Sequence, residues 1–287
     1  IDLSLLGVFG GFYSVPLYAL NQKLSERTHL SRIIAANNII NSIFMVAATG
    51  LAVVVLNAGY SIPQLFLVIA ALNALVAIYI YTLLPEFLWR FLAWIVITIF
   101  YRVRATGAEN VPASGPAVVV CNHVSYMDPF LLSGALRRPM RFVMWYKIFE
   151  IPVLRGFFRN MKAIPIAGAR DDIDIMNAAF EAVDAELEAG NIVCIFPEGG
   201  ITRDGEIQRF RPGIEKIIAR RAVPVVPVAL GRLWGSWFSR YKHGGLRKLP
   251  GRLLARVPIR VGEAVPASEV TAAKLELLVR VLRGDQR

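Results

Sequence analysis

Long apolar runs near the amino terminus place the strongest limit on how this chain folds. A helix that crosses a bilayer needs about 20 largely apolar residues. Three stretches reach that length, at roughly 3–20, 34–57 and 63–84. No basic segment precedes the first run and no small-residue cleavage site follows it, which argues against a secretory signal peptide. We therefore expect residues 1–84 to form an all-α transmembrane segment of about three helices.

The start of the sequence also suggests a fragment. The sequence opens inside an apolar run and lacks an initiator Met, so we expect it to be a piece of a longer polypeptide. A shorter, aromatic-rich run follows at 85–101. We expect an interfacial helix there, which links the membrane segment to the rest of the chain over residues 85–104.

Loop charges predict the orientation in the membrane. Basic residues cluster between the first two spans and again after the third, whereas the 57–63 connection carries no charge. Because positively charged loops stay in the cytoplasm, both charged sides are expected there. We therefore expect an integral protein of the inner or plasma membrane, with residues 105–287 on its cytoplasmic face. The basic residues are Lys23, Arg27, Arg32, Arg90, Arg102 and Arg104.

Charge is distributed as unevenly as hydrophobicity. The chain is 55% hydrophobic and has a net charge of +11, but residues 1–101 hold only four basic and three acidic residues. The remainder holds 28 basic and 18 acidic residues. Since this basic part is tethered to a membrane segment, lipid phosphate is its expected partner. No nucleic-acid-binding motif is present in the sequence, so nucleic acid is not expected.

From residue 105 onward, short β-branched runs alternate with amphipathic helical patterns. This alternation predicts an α/β domain over 105–287, with helices flanking a mixed sheet. Cys121 and Cys194 each end an apolar run, and we expect them to pack as small hydrophobic side chains. The predicted strands lie at 117–121, 141–144, 163–166, 192–196, 224–230 and 256–261. The predicted helices lie near 129–136, 146–160, 172–189, 212–221 and 268–283.

The first chemical motif is the segment 122–128 (NHVSYMD), directly after a predicted buried strand. If a helix begins soon after His123, Asp128 lies little more than one turn away. Its carboxylate then accepts a hydrogen bond from one imidazole nitrogen and leaves the other free to take a proton. Taken alone, the spacing is also compatible with a capped helix terminus and a solvated Asp128.

The second motif, 196–200 (FPEGG), likewise follows a predicted strand, and its glycines allow backbone N–H groups to approach an anion. Three arginines follow within the next few residues, at Arg203, Arg209 and Arg211. Guanidinium groups bind phosphate through paired hydrogen bonds. A plain strand-to-loop turn followed by a solvated basic loop is the alternative.

These motifs in this order, followed by Phe210-Arg211-Pro212-Gly213 and by 223–228 (VPVVPV), resemble those of the glycerolipid and lysophospholipid acyltransferases. The resemblance covers roughly residues 100–265. It implies that His123 is the general base, that Asp128 orients it, and that Glu198 and Gly199 form part of the acceptor site. Arg203 and Arg211, by their place beside the glycine loop, are candidates to bind the acceptor. It also implies an acyl-CoA or acyl-carrier-protein co-substrate, and no cofactor or metal is expected.

One departure from the family pattern concerns the acceptor's phosphate. The family has an arginine-containing motif between the motifs that correspond here to 122–128 and 196–200. The corresponding stretch in this sequence runs from Lys162 to Arg170 (KAIPIAGAR). Both residues remain candidates for the phosphate contact. The aromatic-rich segment 145–149, with Leu154, Phe157 and Phe158, is a candidate for the acyl-chain or membrane-contact surface, and ordinary helix packing explains it equally well.

The first third also resembles a known protein class. Leu20-Asn21-Gln22-Lys23, followed by 32–38 (RIIAANN), resembles the last helices of a major-facilitator-type transporter of lysophospholipids. Some acyltransferases of the family are fused behind such a transporter. One alternative function is therefore a transporter whose attached domain only binds lipid. A second is a thioesterase or lipase, although no G-x-S-x-G elbow is present in the sequence.

Overall fold

The computed structural model describes residues 29–83, 97–136, 138–236, 238–240 and 255–285, with Ile95 and isolated positions before residue 29. The chain divides into two compact units, residues 1–79 and 80–287.

The first unit contains long apolar helices with exposed side chains. Helix α1 spans Leu30–Asn57 and α2 begins at Ile62 and ends at Leu83. Both are long and apolar enough to cross a membrane, by length and composition. Polar side chains within them bond to the helix's own carbonyls, as Thr49 does to Met45, which suits a medium without water. The expected span over 3–20 falls largely outside the described residues.

The second unit is built on a seven-stranded mixed sheet. Its order is β1-β7-β6-β2-β5-β3-β4, and all neighbours are parallel except β6 and β7. The six predicted strands are confirmed to within about two residues. The strands are β1 Tyr101–Thr106, β2 Ala117–Cys121, β3 Met140–Trp145, β4 Ile164–Ile166, β5 Ile192–Ile195, β6 Val225–Leu230 and β7 Ala255–Val261.

Strand β1 corrects the expected linker helix, because residues 101–104 are not helical. Most of the remaining linker, 84–96, lies outside the described residues. In β1 the residues alternate strictly: Tyr101 is buried, whereas Arg102 and Arg104 are exposed. This period of two suits a strand with one buried face. The apolar run immediately before it masked the change of period in the sequence.

Two hydrophobic layers lie on opposite faces of the sheet. In β2, Val119 and Cys121 face one layer, whereas Val118 and Val120 face the other. Helix α3 covers the first face and α5, α6 and α7 cover the second. The helices are α3 Asp128–Ala135, α4 Pro152–Asn160, α5 Ile173–Glu188, α6 Gly213–Arg220 and α7 Ala272–Arg283, with 3-10 turns at Ala108–Asn110, Tyr146–Glu150 and Ala267–Glu269.

The strand directions define one functional edge of this sheet. Strands β2 to β6 all run the same way and end at one edge, which we call the carboxyl edge. Because β7 is antiparallel to β6, and β1 is parallel to β7, these two strands begin there. Loops at the carboxyl ends of parallel strands commonly carry the functional groups of α/β proteins.

Candidate active site

The segment 122–128 leaves β2 at the carboxyl edge and is fixed by backbone contacts. The amide of Asn122 donates to the carbonyl of Leu230 at 3.0 Å, and its oxygen accepts the Leu230 N–H at 2.8 Å. Asn122 is completely buried. Its side chain thus continues the β2–β6 pairing after β2 ends, so the following residue leaves the sheet at a defined point.

His123 and Asp128 form a hydrogen-bonded pair. The Nδ1 atom of His123 lies 2.8 Å from Oδ2 of Asp128. The same oxygen accepts the backbone N–H groups of Val124 at 2.7 Å and Ser125 at 2.9 Å. Asp128 is the first residue of α3 and is fully buried. A carboxylate held in this way keeps the proton of the neutral imidazole on Nδ1, which leaves Nε2 as the basic nitrogen.

An aromatic ring fixes the plane of the imidazole. Phe196, the first residue after β5, stacks on His123 with ring centroids 4.2 Å apart and planes inclined by 19°. The histidine side chain remains 18% exposed. The ring is therefore held on one face by Phe196 and at one nitrogen by Asp128, yet it stays accessible from the carboxyl edge.

Glu198 connects the two motifs through backbone groups. Its Oε1 accepts the N–H of His123 at 2.7 Å, and its Oε2 accepts the N–H of Gln208 at 2.7 Å. The side chain is buried. Burial raises the pKa of Glu198 to about 7, because the loss of hydration outweighs the two backbone donors.

This geometry bears on the role expected for Glu198. Both of its oxygens already accept backbone N–H groups. In the structure the carboxylate therefore positions the His123 backbone, and the expected contact of Glu198 with the acceptor stays a prediction.

Gly199 lies against the guanidinium of Arg211. The glycine has a φ of +74°, and a Cβ built on it would lie 2.5 Å from Cζ of Arg211. The backbone of Arg211 donates to the carbonyl of Pro197 at 2.9 Å. Arg211 itself is exposed. Only a residue without a side chain permits this close approach, so Gly199 lets the arginine pack beside the loop.

The loop after the glycines is tied to both His123 and α7. The N–H of Thr202 donates to the carbonyl of His123 at 2.9 Å, which places exposed Arg203 next to a residue in contact with the histidine. From α7, Arg283 donates to the carbonyl of Gly205 at 3.0 Å, and Glu276 accepts the N–H of Phe210 at 2.9 Å. The loop is therefore held in place from two sides.

Strand register separates the two candidates for the phosphate contact. Arg170 is exposed and follows the end of β4 by four residues, at the carboxyl edge. Lys162 precedes β4. Ile164 pairs with Val143, and through β5 this places it level with Val120 of β2, so Lys162 lies about five residues, or roughly 16 Å, short of the level of His123. The topology brings Arg170, and not Lys162, to the edge that bears His123.

Three contacts in this site go beyond the sequence prediction. They are the two-way bond of Asn122 to Leu230, the stack of Phe196 on His123, and the bond from Thr202 to the His123 carbonyl. Only the first left a signal in the sequence. A polar residue that directly follows five apolar strand residues must find a buried partner.

The buried cysteines are poor candidates for a catalytic nucleophile. Burial raises the pKa of the thiols of Cys121 and Cys194 well above the ordinary value, so neither supplies a thiolate nucleophile. Within the described ranges, no group of three or more His, Cys, Asp or Glu side chains is placed to hold a metal ion.

An apolar pocket begins one residue after Asp128. It lies between α3, β3 and α4. Phe157 and Phe158, two of the aromatic residues singled out in the sequence, contribute to it, whereas Trp145 is exposed. The complete lining is Pro129, Phe130, Ser133, Phe142, Met144, Phe157, Phe158, Met161 and Ala163.

Part of the chain matches a known protein family. Residues 102–231 match the model of the Acyltransferase family. The matched region contains His123, Asp128, Glu198, Gly199 and Arg211.

Two curated relatives illustrate the likeness. The chain is 33% identical over 142 residues to a chloroplast 1-acyl-sn-glycerol-3-phosphate acyltransferase of Arabidopsis thaliana, covering 48% of this chain and 38% of the relative. It is 29% identical over 169 residues to the 1-acyl-sn-glycerol-3-phosphate acyltransferase of Pseudomonas aeruginosa, covering 57% and 61%. The match thus spans less than two thirds of either relative.

A solved structure shows the same fold. The crystal structure of the 1-acyl-sn-glycerophosphate acyltransferase PlsC from Thermotoga maritima superposes with a TM-score of 0.53 at 22% identity. The superposition covers 68% of this chain and 77% of that structure. The mixed sheet with flanking helices is therefore the fold found in that acyltransferase.

Proposed function

We propose that residues 105–287 transfer a fatty acyl group from an acyl thioester to the free hydroxyl of a lysophospholipid. The observation that carries this proposal is the 2.8 Å contact between His123 Nδ1 and Asp128 Oδ2, inside the region that matches the Acyltransferase family. The proposed reaction is an O-acyl transfer of the glycerophospholipid type.

The chemistry follows from the free imidazole nitrogen. Nε2 of His123 takes the proton of the acceptor's hydroxyl as its oxygen attacks the thioester carbonyl. The tetrahedral intermediate collapses, the carbon–sulfur bond breaks, and the imidazolium returns the proton to the departing thiolate. Buried Asp128 stabilises the imidazolium while it is charged. Backbone N–H groups or polar groups near the glycine loop 199–200 stabilise the oxyanion.

Arginines at the carboxyl edge anchor the acceptor's phosphate. Arg211 packs on Gly199, and Arg203 follows the residue that bonds to His123. Arg170 extends the positive surface from the end of β4. Three guanidinium groups around one edge suit a phosphomonoester, which accepts several charge-assisted hydrogen bonds. The relatives' names, 1-acyl-sn-glycerol-3-phosphate acyltransferases, support 1-acylglycerol-3-phosphate as the acceptor, and lysophosphatidylethanolamine is the alternative acceptor.

The donor is proposed to be acyl-CoA or acyl-carrier protein. Both are acidic, and the net charge of about +10 after residue 101 attracts either of them. The apolar surface between α3 and α4 is the proposed contact for part of the acyl chain, because eight of the nine residues that line it are apolar.

For residues 1–84 we propose a membrane anchor that forms the last helices of a major-facilitator-type transporter. Helices α1 and α2 support the membrane part of this proposal. The segment 32–38 and the Leu20–Lys23 motif support the transporter part through their resemblance alone. The charges around the spans support a cytoplasmic location for the matched region.

An acyl-transfer assay on the purified full chain in nanodiscs tests the proposal. Each acceptor, lysophosphatidate or lysophosphatidylethanolamine, is paired with each donor, and diacyl product is quantified by mass spectrometry. A positioned general base contributes about 10²–10⁴ in rate, so His123→Ala should lose that factor. His29→Ala, at the start of α1, is the matched control.

The assay also separates the rival functions. Fatty acid released at the same rate with and without lysophospholipid would indicate a thioesterase. Lysophospholipid transport across vesicles without diacyl product would indicate a transporter with a binding domain. Wild-type-like transfer by His123→Ala would overturn the mechanism.

A further inference from the structure

Three arginines form an exposed patch at one end of the sheet. Arg102 of β1 pairs in register with Arg256 of β7, and Arg104 lies two residues further along β1. All three are exposed. Alternate residues of a strand share a face, so the three side chains share one face of the β1–β7 pair. We call Arg102, Arg104 and Arg256 the arginine patch.

By itself, the arginine patch lowers the stability of the sheet. Like charges directly opposite each other on neighbouring strands destabilise a sheet. Among the described residues, no carboxylate forms an ion pair with any member of the patch. By contrast, Arg260 of β7 lies further along on the same face and bonds to the Leu282 carbonyl at the end of α7.

Protection of the sheet's edge does not explain the patch. Charged residues on an edge strand discourage pairing with other chains, and this accounts for Arg102 and Arg104. It does not account for Arg256, because β7 is paired on both sides, with β1 and with β6. A negatively charged ligand explains all three.

Register places the patch at the same edge of the sheet as His123, on strands two and three places away from β2. Cys121 pairs with Val228, and Leu230 pairs with Ile259, which in turn pairs with Ala105. Residues 105 and 259 are therefore level with His123. Arg102 and Arg256 lie three residues beyond that level, which is about 10 Å further out at the carboxyl edge.

The chain enters the domain at the same place. The uncharged apolar run 91–100 (FLAWIVITIF) ends two residues before Arg102, a distance of at most about 7 Å along the backbone. The end of this run is attached to the domain, because Ile97 is buried in its core, whereas Ile99 is exposed. Juxtamembrane basic residues of this kind are attracted by anionic lipids.

We propose that the arginine patch binds the phosphates of anionic glycerophospholipids in the membrane surface and so docks the carboxyl edge, with His123, against the bilayer. The inference concerns bulk lipid and stands apart from the acyl-transfer chemistry. A lipid surface fits better than an acidic donor, because the patch directly follows the apolar run in sequence. Each basic residue near an anionic surface strengthens binding about five-fold, or about 1 kcal/mol.

Hydrogen exchange of the full chain in nanodiscs tests the docking. The discs contain phosphatidylcholine alone or with about one third phosphatidylglycerol, a fraction that gives a negative surface potential. Exchange of the β1 and β7 peptides should slow in the anionic discs. The triple variant Arg102→Gln, Arg104→Gln, Arg256→Gln should lose this slowing, because its binding to the anionic surface is about a hundred-fold weaker. The His123→Ala background keeps the readout independent of activity.

Two further variants control for net charge and for folding. Neutralising Lys216, Arg220 and Lys274, which are basic residues on α6 and α7, removes the same charge and should leave the slowing intact. Replacing the patch by three lysines should also retain it. Equal exchange of the wild type in both discs, persistent slowing in the glutamine variant, or loss in the α6–α7 variant would each overturn the proposal. Slowing by acyl-CoA instead of phosphatidylglycerol would assign the patch to the donor.

Discussion

The backbone N–H of His123 donates a 2.7 Å hydrogen bond to Oε1 of Glu198, 75 residues further along the chain. The other carboxylate oxygen holds the N–H of Gln208. One buried carboxylate therefore joins the histidine segment to the loop that leads to the arginines. The two sequence motifs are thus parts of one hydrogen-bonded unit, and the backbone of the proposed base is fixed by the second motif.

The raised pKa of Glu198 predicts a pH-dependent stability. Its folded-state pKa is about 7, against 4.5 for the ordinary group, so the folded chain binds this proton more tightly than the unfolded chain. The stabilising contribution is complete below about pH 4.5 and is lost as the pH rises through about 7. Relative to Glu198→Gln, the wild type should lose roughly 3 kcal/mol of unfolding free energy across that window.

The buried thiols provide the measurement. Cys121 and Cys194 are free and buried in the sheet, so their alkylation during denaturant titration reports unfolding of the second unit. The exposed carboxylate variant Glu263→Gln should leave the pH dependence unchanged. Parallel curves of unfolding free energy against pH for the wild type and Glu198→Gln would contradict the raised pKa of Glu198.

Asn122 should contribute to stability and to turnover. Asn122→Ala leaves both backbone groups of Leu230 without their buried partner, and each such group costs about 1–3 kcal/mol. We expect the unfolding free energy to fall by about 3 kcal/mol. We also expect a lower kcat, because the next residue is His123. The matched variant is Asn110→Ala, which removes a single bond to the Val261 carbonyl. The Asn110→Ala variant should lose only about 1 kcal/mol of unfolding free energy and should keep its activity. An equal loss of unfolding free energy in both variants would refute the special role of Asn122.

Much of the second unit could be predicted because its signals are local. Short β-branched runs gave six of the strands, and the spacing of His123 and Asp128 gave their contact. That spacing works because α3 begins at Asp128, so the intervening residues form a turn whose N–H groups reach the same carboxylate. Local sequence determines this geometry.

Other features depend on contacts between distant segments. Strand β1 exists because its register with β7 gives its buried residues a partner. The separation of Lys162 from the site follows from the pairing of Ile164 with Val143. The function of Glu198 as a backbone acceptor requires Gln208 to return to the same place. Spacing along the chain carries no information about such pairings.

The charge of Asp128 should matter more than its shape. In Asp128→Asn the amide oxygen can replace Oδ2 and still accept the N–H groups of Val124 and Ser125, so the turn is preserved. The negative charge that stabilises the imidazolium is lost. We expect kcat to fall by about 10²–10⁴, with little change in KM for the acceptor. Asp174→Asn, in the first turn of α5, is the control, and a kcat within about ten-fold of wild type would contradict the proposed role.

Gly199 should control acceptor binding through Arg211. In Gly199→Ala the new Cβ meets the guanidinium at 2.5 Å, so Arg211 must move away from the loop. A lost charge-assisted hydrogen bond is worth about 1.5–3 kcal/mol. We therefore expect KM for lysophosphatidate to rise about ten- to hundred-fold, whereas kcat at saturation changes less because His123 and Asp128 are untouched.

Two other glycines separate the clash from backbone strain. Gly190 has a φ of +80° with nothing within 4 Å of its added Cβ, and Gly200 has neither a positive φ nor a close neighbour. Gly190→Ala should lose about 1 kcal/mol of stability from the left-handed conformation and keep its KM. Gly200→Ala should match the wild type in both. If Gly199→Ala showed only the stability loss of Gly190→Ala, with an unchanged KM, Arg211 would not be an anchor for the acceptor's phosphate.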